Sequence, residues 1–192
     1  MGLFDRLFGG RFTLPPPDEA PMSDTAILRE LSPVSPEQKK AMKAFTQALL
    51  ARMSEAERTR LTRRVMRRFA SGDGANTALS EGLLDDARGQ KLDSLVLLSV
   101  DWRGFDGFGY LAPCLVKACG IEQPYEYQHD DQSSMPQVLE QFDRWLQPFG
   151  RRYVHLDSGG DSYDGIIVES GRWEELSALG QDAGLVMGLA TY

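Results

Sequence analysis

Residues 151–170 read RRYVHLDSGGDSYDGIIVES: a short apolar-bearing run, a turn of glycine, serine and aspartate, then a second apolar run. In an extended chain successive side chains point to opposite faces, so Tyr153, His155 and Asp157 share one face and Val154 and Leu156 the other. That pattern predicts a β-hairpin with one solvated face and one core face. Its turn, Ser158-Gly159-Gly160-Asp161-Ser162, would use glycine for positive φ and aspartate for local hydrogen bonds. The same residues admit an alternative. His155, Asp157, Asp161 and Asp164 are imidazole and oxygen donors, and a turn that folded them toward one point would suit a divalent-metal-dependent hydrolase. The calcium-loop register does not fit. Counting from Asp157, the sixth position is Ser162 where glycine is required, and the twelfth is Val168 where glutamate is required. The hairpin is the first expectation, with no metal and no cofactor predicted.

Working outward, LDSLVLLSVDW (92–102) is a short, β-branched and leucine-rich run of the kind that forms a buried strand. From there the pattern predicts strands at 93–101, 124–128, 151–157, 163–169 and 185–190. Helices are predicted at 106–119, 135–147 and 171–180, with Gly120 and Gly150 at helix C-caps and Ser134 and Ser170 at N-caps. Upstream, Ser35-Pro36-Glu37-Gln38 and Ser54-Glu55-Ala56-Glu57 read as capping boxes that open two helices. Met42, Phe45, Leu49 and Met53 form the apolar stripe of the first, and Leu61, Val65 and Phe69 that of the second. A weaker helical stretch runs near 77–88. The class expected is α+β or α/β, with a mixed sheet of about five strands and packed helices, preceded by an N-terminal helical pair. Residues 1–34 read as an amphipathic tip (Leu3, Phe4, Leu7, Phe8) and a Pro-rich linker, 35–90 as a helical region with a basic face, and 91–192 as an acidic α/β domain.

The chain has 192 residues, 42% of them hydrophobic, enough for a real core. It contains no apolar run of transmembrane length, and its first residues lack the long apolar stretch of a secretion signal, so a cytoplasmic location is expected. Cys114 and Cys119, the only cysteines, have neither zinc spacing nor a disulfide framework. The net charge of -7 is unevenly distributed: residues 1–70 hold 13 Lys/Arg against 8 Asp/Glu, while the remainder is strongly acidic. Either the two parts face each other or each presents its field to a partner.

Three further stretches compete for a functional role. SVDWRGFDGFGY (99–110) ends a strand at Asp101 and Trp102 with glycines before a helix, but its G-x-x-G-x-G order is not the dinucleotide fingerprint, and the aspartates would repel phosphate. In an open sheet with parallel strands, Asp101 and Trp102 would still lie at the ligand-binding end. Arg60, Arg63, Arg64, Arg67 and Arg68 fall within one arc of a helix and form an anion or partner face. No specific nucleic acid is expected, because the face carries no interleaved aromatics and the sequence pI is about 4.9. Membrane contact by residues 3–8 is a weaker reading, since the myristoylation pattern fails at Arg6. His129 in QHDDQSS reads as part of a polar loop.

The segments LVLLSVDW (95–102), LVKACGI (115–121) with YEY (125–127), and HLDSGGDSYDGIIV (155–168) together resemble an uncharacterised bacterial domain-of-unknown-function family over about residues 90–190. The turn GGDSYDGIIV (159–168) is similar to the glycine-aspartate hairpins of the SUKH immunity superfamily, cytoplasmic modules that bind and neutralise toxins. The first resemblance implies an α/β domain and no activity; the second, over about ten residues, is to modules that bind a protein. With no catalytic set assembled, the expectation is a non-enzymatic regulatory or immunity-like module with a protein partner. Its candidate surface is Asp101, Trp102, Tyr153, His155, Asp157, Asp161, Tyr163 and Asp164.

Overall fold

The computed structural model describes residues 34–84, 88–129 and 132–190. The tip at residues 3–8, the Pro-rich linker and the aspartates at 130 and 131 lie outside them. Ser35 opens α1 (Pro36–Leu49), its hydroxyl accepting from the Gln38 N–H while the Gln38 side chain accepts from the Ser35 N–H. The next start signal is satisfied by half. Ser54 accepts from the Glu57 N–H at the start of α2 (Glu55–Ala70), but the Glu57 carboxylate turns to Arg60 rather than back to the cap. α3 (Ala75–Leu84) follows, then β1 (Leu97–Asp101), α4 (Phe105–Ala118), α5 (Met135–Leu146), β2 (Arg151–Leu156), β3 (Ser162–Glu169), α6 (Trp173–Ala183) and β4 (Met187–Gly188). The mixture of helices and sheet makes the chain an α+β protein.

Among the described residues the sheet has four strands, in the order β1-β3-β2-β4, and every pairing is antiparallel. The expected strand at 124–128 does not form. Pro124 lacks an N–H, and the part of the β1 edge nearest the strand's start is already engaged by a side chain. Gln90 accepts from the N–H groups of Val96 and Leu97 and donates to the Leu97 carbonyl, so its amide stands in for a neighbouring strand. Tyr125 and Tyr127 instead lay their rings on Phe108, and Tyr125 also meets Phe142 and Trp145. The expected cap at Ser170 also moves: Ser170 begins a 3-10 turn (Ser170–Arg172) ahead of α6. Gly120 and Gly150 take positive φ just beyond their helical segments.

Helices cover both faces of the sheet. On one side α1, α2, α3 and α6 pack Met42, Phe45, Leu61, Val65, Leu79 and Leu83 onto Leu97, Val154, Leu156, Ile166 and Val168. On the other, α4 and α5 pack Phe108, Leu115, Leu139 and Phe142 onto Leu98, Val100, Tyr153 and Ile167. This two-sided cover overturns the expectation of a solvated hairpin face, because Tyr153 and His155 are buried as fully as Val154 and Leu156. Alternation in a strand shows only that two faces differ in chemistry; it does not show that the polar one is wet.

Candidate functional site

The hairpin turn closes on itself. Asp157 accepts from the Gly159 N–H at 2.9 Å, the Ser158 hydroxyl donates to the Ser162 carbonyl at 2.6 Å, and Gly159 takes φ +68. The Asp157 N–H donates to the Val186 carbonyl and so ties the turn to the segment entering β4. Around this end of the sheet a cleft of about 740 Å³ opens, lined by Trp102, His155, the turn, Tyr163 and Asp164. Asp101 pairs with Ser162 in the register and sits beside it, exposed, its carboxylate accepting from the Arg103 N–H. Tyr153 does not reach the cleft; it is wholly buried beneath it.

The four proposed metal ligands do not converge. In the β2–β3 register His155 faces Gly165 while Leu156 faces Asp164, so His155 and Asp164 point to opposite faces of the sheet. Asp164 is buried and accepts from the hydroxyls of Ser80 and Ser99, both at 2.6 Å, and from Ser162 at 3.3 Å, binding α3 to β1 and β3. Asp157 is committed to the turn. Among the described residues no group of three or more His, Cys, Asp or Glu side chains is placed to hold a metal ion.

His155 is the unusual member. It is 4% exposed, lines the cleft and packs edge-on to Tyr153, and its imidazole forms no hydrogen bond among the described residues. Burial pushes its pKa down to about 4, against a smaller upward pull from Asp143, so at neutral pH the imidazole is uncharged and offers one donor and one acceptor. Above it Trp102 is half exposed, and the Arg103 guanidinium stacks 4.0 Å from its ring centroid. The sequence placed this Trp at the ligand-binding end of an open sheet with parallel strands; the strands are antiparallel, and the indole stands at the rim.

The arginine arc is divided by the fold. Arg60 bonds Glu57 and the carbonyls of Arg88 and Gly89, Arg64 bonds the Gly82 carbonyl, and Arg68 pairs with Asp73 and Glu81. Arg63 and Arg67 remain exposed and form no ion pair among the described residues. The two parts of the chain that differ in charge also meet directly, through Arg52 with Glu169 at 3.0 Å.

A family model for a domain of unknown function, DUF6630, matches residues 25–190. The chain belongs to the DUF6630 family. The DUF6630 match begins well before the segments that carry the resemblance in the sequence, and takes in α1, α2 and α3 with the sheet. No curated protein and no solved structure matches the chain. Among the described residues of this DUF6630 protein, no helix is long and apolar enough to cross a membrane.

Proposed function

We propose that this DUF6630 domain is a non-enzymatic binding module that grips a basic segment of a partner protein in the cleft at the end of its sheet. The observation that carries this reading is the division of labour around the cleft. Asp157 and Asp164 are spent on the protein's own turn and hydroxyls, so they are poorly placed to drive turnover. The groups that remain available are of a recognition type. Trp102 and Arg103 stand at the rim, of the residue kinds that dominate binding energy at protein interfaces, and His155 offers an unmatched donor and acceptor at the floor. Asp101, Asp106 and Asp161 are exposed at the same end, which favours a cationic occupant. A cytoplasmic setting accords with two free cysteines. Regulation, or neutralisation of a basic toxin in the immunity-like form of the reading, would then follow from occupancy alone.

Calorimetric titration with Lys/Arg-rich peptides that carry one aromatic or aliphatic anchor tests it. Binding should weaken with salt and fall by about tenfold, the equivalent of about 1.4 kcal/mol, in Trp102→Ala. Metal-dependent hydrolysis of ester or phosphoester substrates, abolished by Asp157→Ala, would refute it in favour of the hydrolase.

A further inference from the structure

A second site lies on the opposite side of the α1 helix from the core. A short link at residues 50–54 folds α2 back against α1, and between them opens a groove of about 430 Å³ lined by Lys43, Gln47, Thr59, Thr62, Arg63 and Met66. Lys43 stands on one wall and Arg63 on the other. Helical spacing continues each wall by one turn, Lys40 preceding Lys43 by three residues and Arg67 following Arg63 by four. All four cations are exposed, and none forms an ion pair among the described residues. This groove could not be read from α2 alone, because three of the five arginines on its arc are consumed within the fold and the missing cations come from α1.

The lining says what kind of anion fits. Between the cations lies the Met66 thioether, a flexible apolar surface of the kind used by adaptable binding sites. Thr62 is 5% exposed and helps line the groove, with its hydroxyl oxygen closed off from solvent and without a hydrogen-bond partner among the described residues. A phosphodiester backbone has nothing to bury against Met66, and the groove's lining shows no aromatic ring on which bases could stack. A bilayer meets a protein through protruding apolar side chains, whereas this surface is concave. We propose that the α1–α2 groove is a second protein-docking site, which receives an acidic amphipathic segment of a partner: carboxylates toward Lys40, Lys43, Arg63 and Arg67, an aliphatic side chain on Met66.

The test uses the full chain and a labelled synthetic peptide of about 12 residues, about 18 Å long as a helix, with glutamates on one face and leucines on the other. Fluorescence anisotropy should show saturable binding, weakened by about tenfold or more in Lys43→Glu and in Arg63→Glu, both surface changes that leave the core intact. A peptide with lysine in place of one glutamate should recover part of the loss in Lys43→Glu. Trp102→Ala should leave binding unchanged, so this site and the sheet-end cleft stand or fall separately. The proposal is overturned if the peptide fails to bind. It is equally overturned if charge reversal has no effect, or if polyuridylate or phosphatidylserine-containing vesicles bind through the same residues at least as tightly. Binding that requires prior removal of residues 1–33, which hold 5 Asp/Glu against 3 Lys/Arg, would also overturn it, since the chain's own N-terminal segment would then be the occupant.

Discussion

The phenol ring of Tyr153 lies across Gly165 of the neighbouring strand, so close that a Cβ at position 165 would fall within it. His155 faces Gly165 directly in the register, and Tyr153 packs edge-on to His155, so one glycine leaves room for the pair that sits beneath the cleft. The Tyr153 hydroxyl is buried without a hydrogen-bond partner among the described residues, and burial drives its pKa upward. Two opposite outcomes follow. Gly165→Ala should destabilise by about 2–3 kcal/mol, since the ring cannot move within a packed core. Tyr153→Phe should stabilise by about 1 kcal/mol, since it removes an unsatisfied polar atom and keeps the ring. Denaturant unfolding of both variants checks the pair.

Asp143 on α5 accepts from the Arg152 guanidinium at 3.0 Å, from the Tyr153 backbone N–H at 2.7 Å and from Gln147 at 3.1 Å. Burial alone would raise its pKa, but these three donors together hold it below the usual carboxylate value. A depressed carboxylate contributes stability above its unfolded pKa of about 4, and that contribution is lost as the pH falls through the folded value. Asp143→Ala should cost about 3 kcal/mol at neutral pH by stranding the half-buried Arg152 and a buried N–H. The gap between this variant and the native protein should narrow in thermal melts below pH 4.

His155 contributes in the same direction by a different route. Its folded pKa, about 4, lies below that of an unfolded histidine, so between roughly pH 6.5 and pH 4 the unfolded chain takes up a proton that the folded one refuses. Stability is full above that window and declines within it as the pH falls. In NMR titration the His155 imidazole should keep its neutral shifts at pH 6, and His155→Gln should flatten this part of the stability profile. A His155 that titrates near 6.5 would remove the basis for a neutral floor to the cleft.

Asp164 separates structure from recognition. Asp164→Ala strands the hydroxyls of Ser80 and Ser99 and should lower stability by about 2–4 kcal/mol, measured by denaturant unfolding. Binding of the basic peptides, measured well below the melting temperature, should change little. Loss of binding in a variant that remains folded would mean that Asp164 touches the partner.

Local chemistry set much of this in advance. Helix starts at Ser35, Ser54 and Ser134 are written in residues three positions apart, because a cap satisfies backbone groups within one turn. The hairpin at 151–170 was equally legible, since glycine and aspartate at its turn have few other uses together. What the sequence could not supply was anything decided by a second element. Alternation divided Tyr153 and His155 from Val154 and Leu156, but only α4 and α5 closing over the sheet made the polar face a buried one. Three acids and a histidine could have converged along the chain, and strand register sent His155 and Asp164 to opposite sides. The arginine arc on α2 was visible as a helical stripe, but which arginines remained available depended on Glu57, Gly82 and Glu81 arriving from elsewhere or turning inward. The groove itself exists only where α1 lays Lys43 against Arg63. Sequence determines propensities within a turn or a strand, over a few residues; exposure, charge pairing and cavities belong to contacts between residues far apart in the chain, and those are set only when the layers pack.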